Sequence, residues 1–181
     1  MTNEHLVRQV LMDNTIRLVA DGGFENATTN TITYSGGDVE NIKMNVVYIY
    51  RLYGSKDRLF DSIFETIDGE FANAVRSSED ICGFMTVVLD FWTQNPLWCK
   101  YYVRYYYSHR LVGDVLSKHK ENMEELTAKF TVKKPVTEMI LTTLLDAAYK
   151  AVTAKTEGGF DSLCDVVKEY FNAQCKMHNA E

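Results

Sequence analysis

The chain has 181 residues, 46% of them hydrophobic and 24% charged, with a formal net charge of −6. That is an ordinary globular composition, and the length can bury a core without disulfide or metal staples. No run approaches the roughly eighteen apolar residues that span a bilayer, and MTNEHLVRQVLMDN is too polar for a signal peptide, so a soluble, cytoplasmic protein with no membrane partner is expected.

With only two prolines, Pro96 and Pro135, and few alternating patterns, helix is the expected state almost throughout. A first helix is predicted over Asn3 to Asp21, with Leu6, Val7, Val10, Leu11, Leu18 and Val19 along one side. Asp21-Gly22-Gly23 ends it, since glycine takes the left-handed C-terminal turn without steric cost. Thr28, Thr29 and Asn30 offer caps for a short second helix, and Ser35-Gly36-Gly37-Asp38 breaks it. A third helix follows from Asn45 to about Tyr53, with Asn45 as N-cap. Gly54-Ser55 closes it and Ser55 caps a fourth, where Asp57 complements the macrodipole and Leu59, Phe60, Ile63, Phe64 and Ile67 form the apolar side. Ile81 to Gln94 reads as helix, and Pro96 suits the first turn of an aromatic-rich segment. Another helix reaches about Phe130, and Lys133-Lys134-Pro135 interrupts. Two long helices, Val136 to Thr156 and Phe160 to about Met177, close the chain around the turn Glu157-Gly158-Gly159.

Two stretches in the first third are specific. Ala20-Asp21-Gly22-Gly23-Phe24-Glu25-Asn26-Ala27-Thr28-Thr29 resembles the signature of the TetR (tetracycline-repressor-like) family of transcription regulators, in which a long first helix ends at Gly-Phe before a Thr-Thr pair. Val47-Tyr48-Ile49-Tyr50-Arg51-Leu52-Tyr53-Gly54-Ser55-Lys56 resembles that family's recognition-helix ending, an aromatic run followed by Ser-Lys. The resemblance implies an all-α fold, with a helix-turn-helix head (residues 1–68) joined to a helical ligand-binding and dimerisation domain (69–181). It implies a regulator, in most cases a ligand-responsive repressor, acting as a homodimer on a palindromic double-stranded DNA operator. The third helix would enter the major groove, where base edges are distinguishable. Asn45, Val46, Val47 and Tyr48 would face bases, while Thr29, Lys43, Tyr50 and Lys56 would lie at or near phosphates. The sequence departs from the family in one respect: extra residues around Ser35 to Lys43 lengthen the turn, either extending helix two or looping outward.

Each of these residues also has a structural reading: the tyrosines as core, Lys56 as a solvated helix start, Thr29 as a cap. Residues 1–68 hold six Lys/Arg against ten Asp/Glu, a net of −4, which runs against DNA binding. A TetR-shaped ligand-binding or scaffold protein that has lost DNA binding is therefore the alternative.

In the body, Trp92, Trp98, Tyr101, Tyr102, Arg104, Tyr105 and His109 are candidate ligand contacts for a small-molecule effector of unspecified identity. Several buried hydroxyls would otherwise need partners. A packed aromatic core is the competing account. Leu141, Leu144, Leu145, Ala148, Val167 and Phe171, on the last two helices, are dimer-interface candidates, with single-chain core as competitor. There is no glycine-rich phosphate loop, G-x-S-x-G or H-E-x-x-H, and His5, His109, His119 and His178 are isolated in sequence. Cys82, Cys99, Cys164 and Cys175 show no metal-ligand spacing and read as reduced thiols. No catalytic residue, metal or cofactor is expected.

Overall fold

The computed structural model describes residues 3–34, 38–39, 42–128 and 134–153. Among these, the elements in chain order are α1 (Asn3–Gly22), α2 (Thr29–Tyr34), β1 (Asp38–Val39), β2 (Ile42–Lys43), α3 (Val47–Tyr53), α4 (Lys56–Arg76), α5 (Ile81–Gln94), α6 (Pro96–Tyr106), α7 (Gly113–Ala128) and α8 (Lys134–Thr153). The all-α expectation holds apart from one small hairpin. Phe160 to Met177, including Val167 and Phe171, lies outside the described residues.

Local chemistry accounts for the boundaries of the head. Gly23 ends α1 at a φ of 85°, with its N–H reaching Val19 O at 2.9 Å. A side chain is strained in that conformation, which glycine adopts freely. The start of α2 is closed by Thr28 and Thr31, each hydroxyl accepting from the other's backbone N–H at 3.1 and 2.9 Å. The cap thus belongs to Thr28, and Thr29 is the first helical residue. At α3 the N-cap position is Val46 rather than the expected Asn45, with no side-chain cap bond; Asn45 Oδ1 accepts from Val47 N–H at 3.1 Å. Ser55 Oγ does the same for Arg58 N–H, also at 3.1 Å, as expected of an N-cap.

One further expectation is corrected. The residues inserted between α2 and α3 neither lengthen α2 nor form an open loop: β1 and β2 pair antiparallel, with Asp38 opposite Lys43 and Val39 opposite Ile42. The aromatic-rich segment and the helix after it are separate: residues 107–112 divide α6 from α7, which starts at Gly113, whose φ is 58°.

The core is continuous from head to body, and α4 is its axis. Leu59, Phe60, Ile63, Phe64, Ile67, Phe71 and Val75 are buried along α4 at three- and four-residue spacing, so one long stripe faces protein throughout. In the head α4 meets α1 and α3; further along it meets α5, α6 and α7. The helix crosses position 68 unbroken, so the expected domain boundary falls inside it. A second junction is made by α1 packing on α6, while α8 closes the body against α5 and α6.

Polar side chains fix the register of α4 against its neighbours. Arg110 pairs with Asp57, and the Tyr101 hydroxyl donates to Phe60 O at 2.9 Å. The Tyr105 hydroxyl donates to Asp61 Oδ1 at 2.6 Å, and Lys118 reaches Glu65 at 2.8 Å. Asp68 receives Tyr102, His119 and Asn122. These contacts recur at every three or four residues of α4, on the side turned to α6 and α7.

Candidate functional site

Two places bear on function: the outer face of α3 and a cavity in the body. Ile49 anchors α3 with no exposure, whereas Val47 is 60% and Tyr50 56% exposed on the same helix. Asn45 is exposed, and Val46 and Tyr48 are half-buried. Arg51 lies over the Tyr48 ring at 5.0 Å from its centroid, and Lys56 Nζ over Phe60 at 5.5 Å. The α3 residues and Lys56 therefore occupy consecutive elements, with Tyr50 and Val47 presented outward. Thr29 is half-buried at the start of α2. Of Lys43 the backbone alone is described; it lies in β2, ahead of α3. Tyr34, 90% exposed at the end of α2, was not among the expected residues. An aromatic side chain left outside the core by a helix-turn-helix unit is the signal that would have marked it.

In the body, a cavity of about 700 Å³ lies between α7 and α8, over α4, α5 and α6. Phe71, Trp92, Tyr102 and Tyr106 line its inner part. Leu116, His119, Lys120, Met123 and Glu124 come from α7, and Glu138, Met139, Leu141, Thr142 and Leu145 from α8. Its size is in the range of small-molecule sites.

Of the expected ligand contacts, Trp92 and Tyr102 line this cavity and five do not. Tyr101 and Tyr105 are fully buried, their hydroxyls taken by α4. Trp98 packs against Phe91, with ring centroids 6.2 Å apart. His109 is exposed in the turn after α6. Arg104 points to the end of α1, where a Cβ placed on Gly23 would lie 3.2 Å from its guanidinium. Those tyrosines needed partners, and the backbone and carboxylates of α4 supply them. The same holds at the other end of the body. Leu141, Leu144, Leu145 and Ala148 are buried within the chain, on a helix packed against α5 and α6, and Leu141 and Leu145 also line the cavity.

A cluster of polar groups missed by sequence reasoning borders the cavity. Asp68, 2% exposed, accepts from Tyr102 Oη at 2.7 Å and Asn122 Nδ2 at 2.7 Å, and its Oδ1 lies 2.9 Å from His119 Nδ1. Burial first, and then the neighbouring Asp68, push the Tyr102 phenol well above its ordinary range. Tyr106 is raised too, by burial and then by Tyr107 and Glu138. The one local hint was that His119 and Asn122 stand three residues apart on one helix, so both can reach the same acceptor. Among the described residues no group of His, Cys, Asp and Glu is arranged to hold a metal ion, and no helix is long and apolar enough to cross a membrane.

No family model matches the chain, and no curated protein matches it by sequence. Solved structures do match its shape. A TetR family transcription regulator from Marinobacter aquaeolei VT8 superposes with a TM-score of 0.67 at 15% identity, over 92% of each chain. A TetR-like transcriptional regulator from Rhodococcus sp. RHA1 gives 0.64 at 19% identity, over 94% of this chain and 96% of its own. The fatty acid degradation regulator FadR from Bacillus halodurans gives 0.64 at 15% identity, over 90% and 96%. The similarity covers head and body together, in the same order, and the fold of this chain is that of the TetR-family transcription regulators.

Proposed function

We propose that the chain is a DNA-binding transcription regulator, a ligand-responsive repressor that acts as a homodimer on a palindromic operator. The observation that carries this reading is the outward face of α3. Ile49 holds the helix in the core while Val47 and Tyr50 stand exposed, in a chain with the fold of TetR-family regulators. An α-helix fits the major groove, where Val47 can contact a thymine methyl and Asn45 an adenine edge. Tyr50, Lys56 and Thr29 are the proposed phosphate contacts, with Lys43 beside them. A two-fold dimer places two such helices on successive turns of DNA. Val167 and Phe171 remain the interface candidates; Leu141, Leu144, Leu145 and Ala148 would contribute by stiffening α8 from within. An effector in the body cavity acts by differential affinity for head geometries that do and do not match the operator.

Fluorescence-anisotropy titration with DNA from beside its own gene, at two salt concentrations, tests this. Binding that is tight, salt-sensitive and weakened by Lys56→Ala, with random DNA bound far less well, is the expected result. The second reading, a TetR-shaped protein that no longer binds DNA, is favoured by the hairpin between α2 and α3 and by the net charge of −4 on residues 1–68. A folded dimer with no specific binding at low salt would establish it.

A further inference from the structure

His119 is 7% exposed and lines the large cavity. Its Nδ1 is engaged by Asp68 at 2.9 Å. Asp68 does not line that cavity; it lines a smaller one of about 150 Å³, which His119 also borders, with Glu65, Lys118 and Asn122. The imidazole thus turns its Nδ1 edge away from the large cavity. Its Nε2 has no hydrogen-bond partner among the described residues.

The partner of Nδ1 fixes one proton of the ring. A carboxylate only accepts, so the proton of the His119–Asp68 contact belongs to Nδ1. Tyr102 and Asn122 donate to the same carboxylate, which leaves Asp68 without a proton to exchange with the ring. When the ring is neutral, with its proton on Nδ1, it presents a lone pair at Nε2. Tyr106 packs edge-on against the ring at 5.5 Å, and Phe71, Trp92 and Met123 add aromatic and apolar wall to the same cavity. The charged groups of the lining are Lys120, Glu124 and Glu138, so an anionic ligand would meet two carboxylates against one ammonium.

We infer that the cavity takes a flat, largely apolar molecule bearing a neutral hydroxyl, phenol-like in chemistry, whose hydrogen is accepted by His119 Nε2. This rests on the ligand-responsive reading above and adds the chemical class of the ligand and the atom that selects it. Asp68 is a positioning residue here: it holds the tautomer and turns the ring, and does not touch the ligand.

The test is calorimetric titration of the full chain, without DNA, with para-phenylphenol, para-methoxybiphenyl, biphenyl carboxylate and phenylbenzylammonium. The phenol should bind roughly tenfold more tightly than its methyl ether, the step expected of one neutral hydrogen bond. His119→Asn keeps an amide N–H for Asp68 but lacks the second ring nitrogen. It should bind phenol and ether equally, with ether affinity as in the wild type. If that variant does not fold, nitrogen NMR of wild-type His119 replaces it: the Nε2 resonance should move with the phenol and not with the ether. Equal binding of phenol and ether, tighter binding of the carboxylate or the ammonium, an unmoved Nε2, or no binding by any of the four overturns the inference. Loss of operator binding in the anisotropy experiment is read separately and bears on the regulator reading alone.

Discussion

The Tyr102 hydroxyl donates to Asp68 Oδ1 over 2.7 Å, between two residues that are 3% and 2% exposed. The same carboxylate takes His119 and Asn122, so Asp68 joins α4, α6 and α7 at one point. Removing the acceptor strands two buried donors and the half-buried Asn122 amide, and each unsatisfied buried group costs about 1–3 kcal/mol. Asp68→Ala is expected to destabilise the fold by roughly 3–5 kcal/mol, the sum expected when three donors lose one shared acceptor. Tyr102→Phe, which removes one donor and leaves two, should cost about 1 kcal/mol. Urea denaturation of the two variants checks both values and their order.

The helix caps offer a smaller and cleaner perturbation. Ser55 Oγ closes the first turn of α4 on Arg58 N–H at 3.1 Å, in an extended backbone conformation. Ser55→Ala should lower stability by about 1 kcal/mol and Ser55→Asp should leave it nearly unchanged. A loss equal in both variants, read from thermal or urea unfolding, would show that the hydroxyl does not act as a cap.

The outer face of α3 separates stability from recognition. Tyr50 is 56% exposed, so Tyr50→Ala should change unfolding free energy by no more than about 0.5 kcal/mol. Under the proposed function it weakens operator binding several-fold. Ile49→Ala on the buried side should instead cost about 2–5 kcal/mol. Pairing anisotropy with denaturation on the two variants distinguishes a recognition face from a merely solvated one.

Alkaline pH should destabilise the protein through its buried phenols. Burial, and after it Tyr105 for Tyr101 and Asp68 for Tyr102, raise both groups well above the ordinary value of 10.0. Below that value both phenols are protonated in the folded and unfolded chain alike and add no pH dependence. Above it the unfolded chain releases protons that the folded chain retains, so stability falls by about 1.4 kcal/mol per pH unit for each phenol. Tyr102→Phe should therefore show a shallower alkaline decline than the wild type, although it starts less stable at neutral pH. Urea midpoints followed from neutral to about pH 11 give the two slopes.

Elements whose signals are local were legible in the sequence. Ser55 and Pro96 mark their helices where the structure places them, because caps and first-turn prolines act within a few residues, while Asn45 stands one residue ahead of the N-cap position, Val46. The tyrosines of α6 do need hydroxyl partners, but of the three expected at the cavity only Tyr102 lines it. Tyr101 and Tyr105 find their acceptors on α4, 41 and 44 residues away, and spacing within a helix says nothing about such distances. His119 looked isolated for the same reason, since Asp68 is 51 positions distant. The hairpin escaped because Ser35-Gly36-Gly37 reads equally as any break, and two-residue strands are too short to alternate.

The unbroken passage of α4 through residue 68 sets a rule for chimeras. A head grafted onto another body at that point would carry Asp57, Asp61 and Asp68 away from Arg110, Tyr105, Tyr102, His119 and Asn122. The donor body would be left with unmatched phenols, and the recipient head with half a helix whose apolar stripe has nothing to cover it. A working exchange has to move α4 whole, together with the faces of α6 and α7 that read it. For evolution as for engineering, the heritable unit of this molecule is the helix with its ring of partners, and the head and the cavity-forming body are not free to recombine between them.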